Sequence, residues 1–235
     1  MNLLLLSNST NAGSSYLEHA RSEIAALASG RQVVFVPFAL DNWDEYTNAV
    51  RTGLPELDVL GAHERGVVGE TILSAEVLFV GGGNTFRLLA ALERLNLVHA
   101  LGERVRQGLC AYVGSSAGTN IACPTIRTTN DMPIVEVQSL NALSLIPLQI
   151  NPHFSDEQAQ GLMVESRRER IAQFHEHSRT AVLGLREGSW LRVAGEDRIL
   201  GGVGGGVLFT RGRSIELAVG ESVNEWWQTP VFDDR

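Results

Sequence analysis

The sequence contains no lysine; all 19 of its basic residues are arginine. That absence removes Schiff-base and pyridoxal-phosphate chemistry, which need a lysine amine, and the lysine-bearing P-loop. Cysteine is scarce too. Cys110 and Cys123 make no disulfide framework, and no Cys/His spacing resembles a zinc site. Of the six histidines, His175 and His177 are two apart, so on a helix they would face different ways and chelate poorly. Neither a metal nor a cofactor is expected. No apolar run approaches the ~18 residues of a membrane span. The opening MNLLLLSNST has neither a basic start nor a small-residue cleavage site, so it reads as a buried strand and the protein as cytoplasmic. Positive charge is in deficit: 27 acidic residues give a net charge of −8 and a pI near 5.3, which argues against a nucleic-acid partner. The same field would repel an anionic substrate unless a local arginine received it.

What is present is ordinary globular composition: 235 residues, 44% hydrophobic and 20% charged, with a mean hydropathy of +0.01. A single domain over 1–235 is the default. Strand-like runs (NLLLLS, QVVFVPF, EVLFV, CAYVG) alternate with helix-like segments over the first two-thirds. That order predicts an α/β fold with a mainly parallel sheet and helices on both faces, its reactive groups beyond the carboxyl ends of the strands. From about Thr180 the runs become short and glycine-separated, which predicts antiparallel hairpins at the C-terminal end. The polar, arginine-rich stretch from Ser155 to His177 reads as a loop and an exposed helix.

Gly114-Ser115-Ser116-Ala117-Gly118 follows a strand-like run and precedes a helix-like one, the setting of a G-x-S-x-G nucleophile turn. Only Ser116 has glycine at both offsets; Ser115 has Val113 and Ala117 there. Serine needs a base to take its proton and donors for the oxyanion that develops. The N–H of Ala117 is one candidate donor, and Gly81-Gly82-Gly83-Asn84, with Gly83 foremost, offers a second. His153, in QINPHFSD at a strand end, is the candidate base. Glu187 in LREGSW and Asp131 in TTNDMPI are two acids able to orient it, although either could equally be a turn residue.

LLLLSNST, VGGGNTF, GSSAGTNIACPTIRTTNDMPIV, LQINPHF and LREGSW together resemble the peptidase E family, the bacterial α-aspartyl dipeptidases, over Met1 to about Leu208. The resemblance implies a serine dipeptidase for Asp-X substrates on a fold related to class I glutamine amidotransferases. It carries Ser116 over as nucleophile and His153 as base. The third member stays open between Glu187, which is favoured, and Asp131, a relay or structural acid. Within the run Arg167, Arg168, Arg170, Arg167 aligns best with a substrate-facing arginine, and Asn84 is a secondary donor to the substrate. The family commonly has tryptophan before the nucleophile; Ser115 stands there instead, which could widen the pocket. The tail after Gly220 finds no clear counterpart. The expected partner is a small Asp-X peptide, with no nucleic acid and no membrane, and a homodimer stays open. The competing functions are a cyanophycin-type aspartyl-amide hydrolase and a non-catalytic small-molecule binder on the same fold.

Overall fold

The computed structural model describes residues 1–156 and 165–227, so residues 157–164 of the polar stretch and 228–235 of the tail lie outside the described residues. The leucine-rich start forms β1 (Asn2–Leu6), followed by α1 (Arg21–Ala28), β2 (Val33–Val36), α2 (Trp43–Gly53), β3 (Val59–Gly61) and α3 (Val68–Ser74). β4 (Val77–Val80) leads to α4 (Thr85–Arg94) and α5 (Leu97–Arg106), and β5 (Ala111–Ser115) to the short α6 (Ala117–Ala122). These five strands pair in parallel in the order β3-β2-β4-β5-β1.

Continuous apolar runs suit strands buried on both faces. Alternate residues of the same strands enter opposite cores. Leu4, Leu6, Phe35, Phe79 and Val113 pack with Ile24 and Leu27 of α1 and Tyr46 and Val50 of α2. Leu3, Leu5, Val36, Val80 and Tyr112 pack with Ile72, Leu88, Leu101 and Ile121 from α3 to α6. Helices therefore cover both faces.

The C-terminal strands are antiparallel as expected, but they divide between two sheets. β8 (Ser189–Ala194) and β9 (Asp197–Gly202) extend the large sheet from β1. β6 (Gln149–Phe154), β7 (Val182–Arg186), β10 (Gly206–Thr210) and β11 (Arg213–Leu217) form a second sheet, in which β6 runs parallel to β7. Only Glu187 and Gly188 separate β7 from β8, so the chain changes sheet across two residues. Gly188, at φ 76°, supplies the left-handed step this corner needs. Leu183, Leu185, Leu208 and Leu217 of the small sheet belong to the same buried cluster as Leu3 and Tyr112, so the two sheets share a core. The other face of the small sheet is covered by α7 (Arg167–His177), whose Ile171 packs with Phe154, Val182 and Phe209. Phe174 packs against the same cluster and His175 is buried, while the opposite side of α7 is charged and exposed. Among the described residues no helix is long and apolar enough to cross a membrane.

Candidate active site

Ser116 occupies the turn between β5 and α6 at φ 48° and ψ −103°, a conformation that costs a non-glycine residue about 1–3 kcal/mol. The neighbouring glycines make the turn possible. A Cβ on Gly114 would lie 2.6 Å from the Gly118 carbonyl oxygen, and one on Gly118 only 2.1 Å from that of Val80. The serine N–H donates to the Leu6 carbonyl (3.1 Å), and the Thr119 hydroxyl donates to the same oxygen (2.7 Å), tying the turn to the end of β1.

His153 reaches Ser116 from the second sheet. The pairing of β6 with β7 shifts register between Asn151 and Phe154, and His153 in this irregularity has φ 54°. Such bulges re-aim a side chain. Its backbone N–H donates to the Ser7 hydroxyl (2.8 Å), which donates in turn to the Leu185 carbonyl (2.8 Å). The imidazole Nε2 lies 2.9 Å from Ser116 Oγ, and Nδ1 lies 2.8 Å from Glu187 Oε1. Glu187 projects from the corner between the sheets, with its side chain 61% exposed. The pair is thus partly screened by water, and orientation is its clearer contribution.

Asp131 makes no hydrogen bond to the histidine. Its Oδ2 accepts from the Thr85 N–H (2.7 Å), the Thr85 hydroxyl (2.5 Å) and the Thr129 hydroxyl (3.1 Å). The acid thereby satisfies an otherwise orphaned N–H at the start of α4. Of the two acids foreseen beside the base, the structure brings only Glu187 within hydrogen-bonding distance.

Ser116 and His153 open onto a cavity of about 460 Å³ whose walls include Gly82, Gly83, Asn120, Asp131 and Arg167. Ala117 is the first residue of α6, so its N–H has no partner within the helix. In the glycine loop, the N–H groups of Gly81 and Asn84 go to the carbonyls of Val36 and Ala39. That of Gly82 faces the Tyr46 phenol oxygen. The Gly83 N–H is left without a partner among the described residues. A Cβ on Gly83 would meet the Ala39 carbonyl oxygen at 2.6 Å, and its φ is 130°, so glycine is required there.

Arg167 opens α7 behind the N-cap Ser166 and lines the cavity, with Nη1 buried and without a partner among the described residues. Burial and the neighbouring Arg170 push its guanidinium down from the ordinary arginine value, while Glu187 and Asp131 push it back up. The other two arginines of the run are engaged elsewhere. Arg168 pairs with Asp156 (2.6 Å) and lies over the rings of Phe154 and Phe209, and Arg170 pairs with Glu165 (3.2 Å).

Asn84 departs from the expected substrate contact. Its Oδ1 caps α4 by accepting from the Arg87 N–H (3.0 Å), its Nδ2 donates to the Met132 carbonyl (2.9 Å), and it is not among the cavity's lining residues. Ser115 is fully buried in β5 and does not line the cavity either, so the pocket is not widened directly through it. Several residues absent from the expectations do line it, among them Asn120 and Thr129. Asn120 was detectable: it lies four positions after Ser116, hence on the same helix face. Cys123 closes α6 as a buried thiol pushed up to about 12, far from the reactive range. Among the described residues no cluster of His, Cys, Asp or Glu could hold a metal ion.

A serine held on a strand-to-helix turn, hydrogen-bonded to an imidazole that is itself hydrogen-bonded to a carboxylate, has the form of a serine-hydrolase site. The comparisons place it more narrowly. The family model described as Peptidase family S51 matches residues 3–201, and the chain belongs to that family. It is 51% identical over 230 residues to "Peptidase E" of Streptomyces coelicolor, covering 96% of this chain and 94% of the relative. With "Peptidase E" of Salmonella typhimurium it shares 46% identity over 208 residues, 86% of this chain and 90% of the relative. A crystal structure of a peptidase from an acI-B1 Actinobacterium superposes with a TM-score of 0.61, covering 92% of this chain and 96% of that one, at 15% identity, a likeness of fold alone.

Proposed function

We propose that this peptidase is a serine dipeptidase that hydrolyses Asp-X dipeptides through an acyl-enzyme. The observation that carries the reading is the Ser116–His153–Glu187 hydrogen-bond chain at a cavity that also holds a half-buried arginine. Ser116 Oγ attacks the carbonyl carbon of the aspartyl residue while His153 Nε2 takes the hydroxyl proton. Glu187 fixes the tautomer and steadies the imidazolium. The oxyanion is received by the N–H groups of Ala117 and Gly83, which helix geometry and the glycine loop leave free. His153 then returns the proton to the leaving amine, and water, activated by the same imidazole, releases aspartate. Arg167 takes the substrate's side-chain carboxylate; a guanidinium forms paired hydrogen bonds to a carboxylate and stays charged even when partly desolvated.

The test is a panel of X-Leu dipeptides with the amino group free or acetylated, assayed with the purified protein in the cytoplasmic pH range. Rapid hydrolysis of Asp-Leu, with Asn-Leu and Glu-Leu far slower, is the expected pattern. Preference for an aspartyl polymer over any dipeptide would move the protein to the cyanophycin-type reading. No turnover of any member, with Ser116 unreactive to fluorophosphonates, would leave a binding protein.

A further inference from the structure

Hydrolysis confined to an N-terminal residue requires recognition of its free ammonium, and neither the triad nor Arg167 can supply that. The ammonium is attached to the carbon next to the attacked carbonyl, so its partners must lie close to Ser116. Asn120 is suitably placed. It is one helical turn beyond Ser116, its N–H donating to the Ser116 carbonyl (2.9 Å), and helical side chains lean back toward the preceding turn. The side chain is 3% exposed and lines the cavity, yet its Oδ1 is buried without a hydrogen-bond partner among the described residues.

Proton counting fixes which end of this amide is free. The Thr85 hydroxyl donates its one proton to Asp131 Oδ2 (2.5 Å). The Thr129 hydroxyl has its proton directed to Asp131 Oδ2 (3.1 Å) or to Thr85 Oγ1 (3.0 Å). Neither hydroxyl has a proton left for Asn120, so both can only accept from it, and the atom facing them at 3.5 and 3.4 Å must be Nδ2. Flipping the amide would set an acceptor against two acceptors. Oδ1 is therefore the free end. Asp131 is asymmetric in the same sense: its side-chain hydrogen bonds converge on Oδ2, leaving Oδ1 without a partner among the described residues while the residue lines the same cavity.

We propose that Asp131 Oδ1 and Asn120 Oδ1 form the subsite for the α-ammonium of the substrate, the acid supplying the counter-charge and the amide a neutral acceptor beside the nucleophile. This deepens the dipeptidase reading and rests on it. The cavity then carries its two charges in the arrangement an N-terminal aspartyl residue presents: Arg167 for the side-chain carboxylate, Asp131 for the ammonium. Both threonines act as positioning residues that hold one oxygen of Asp131 and orient the Asn120 amide.

The experiment compares ligands that differ only by the ammonium. L-Aspartate and succinate are titrated calorimetrically into the unaltered protein, Asn120→Leu, Asn120→Ser and Asp131→Asn. In parallel, kcat/KM is measured on Asp-Leu and succinyl-Leu. The unaltered protein should prefer aspartate. Each substitution should weaken aspartate at least tenfold while succinate stays within about threefold, and Asp-Leu turnover should fall correspondingly more than that of succinyl-Leu. Equal losses on both ligands, no loss on either, or no preference for aspartate in the unaltered protein would overturn the subsite. Should Asn120→Leu fail to fold, the polar Asn120→Ser and the isosteric Asp131→Asn decide. Failure of the unaltered protein to hydrolyse Asp-Leu would refute the dipeptidase reading separately, because the binding comparison needs no turnover.

Discussion

At the scale of single residues, the two adjacent serines have opposite environments. Ser115 is the last residue of β5, fully buried, with an Oγ that finds no partner; Ser116 stands on the strained turn with its hydroxyl against an imidazole. Ser116→Ala should therefore lower turnover by ~10⁴-fold or more, while Ser115→Ala, which removes a buried unpaired hydroxyl, should keep most of the activity. Single-turnover assays with covalent labelling check both, and labelling of Ser115 instead would reverse the assignment. Glu187→Gln should lower kcat by orders of magnitude with KM little changed, because the amide can no longer hold the imidazole in the same tautomer. Asp131→Asn should differ in kind, raising KM for substrates with a free amino group. Arg167 completes the set: Arg167→Ala should depress Asp-Leu hydrolysis far more than the already slow Asn-Leu reaction, since truncation leaves a desolvated carboxylate unpaired at roughly 2–5 kcal/mol.

At the scale of elements, the legible parts of the sequence were those whose chemistry demands a local pattern. Glycines flanking Ser116 are required because Gly118 meets the Val80 carbonyl and Gly114 meets Gly118, and such close approaches leave a readable signature. β1, β2, β4 and β5 announce themselves as apolar runs. β3, three residues at the sheet edge, is too short to do so, and α3 is one of the shorter helices. The division of the C-terminal strands between two sheets was not readable, because hairpin and corner share the same glycine-rich turn chemistry. That division nevertheless places the acid, since Glu187 stands at the crossing from one sheet to the other. Asn84 is ambiguous for a related reason: an asparagine after three glycines suits a ligand loop and a helix N-cap equally, and in this fold its side chain caps α4. One element-level prediction follows from the link between β5 and α6. The Tyr112 hydroxyl donates to the Gly118 carbonyl at 2.6 Å inside the core. Tyr112→Phe leaves that carbonyl without its donor, at a cost of about 1–3 kcal/mol. Thermal melts should register it, and the loosened turn should lower kcat more than it raises KM. Gly118→Ala, with a Cβ 2.1 Å from the Val80 oxygen, should yield no active enzyme.

At the scale of the whole molecule, alkaline stability should depend on ionisable groups buried in the core. Burial pushes the Cys110 thiol up to about 11 and the Cys123 thiol to about 12, and holds the Tyr112 phenol well above its ordinary value. All three belong to the core cluster shared by the two sheets. In the unfolded chain the thiols release their protons near the ordinary value of 9.0, so above that pH the folded state binds more protons than the unfolded one. The sign is then fixed. The contribution to stability is whole below pH 9 and is lost as pH rises through about 11 and 12, at up to about 1.4 kcal/mol per pH unit for each group. Denaturant midpoints measured from pH 7 to 11 should be level at first and then fall above about pH 9. Cys123→Ala should fall less steeply over that range, whatever its cavity costs at neutral pH. In the folded protein at pH 8 both thiols should be inert to a disulfide reagent, with two equivalents appearing on denaturation. Hydrolysis should survive that reagent, because neither sulfur lines the cavity that holds Ser116. Midpoints that stay level to pH 11, or a thiol that reacts rapidly in the folded state, would mean that water reaches that core.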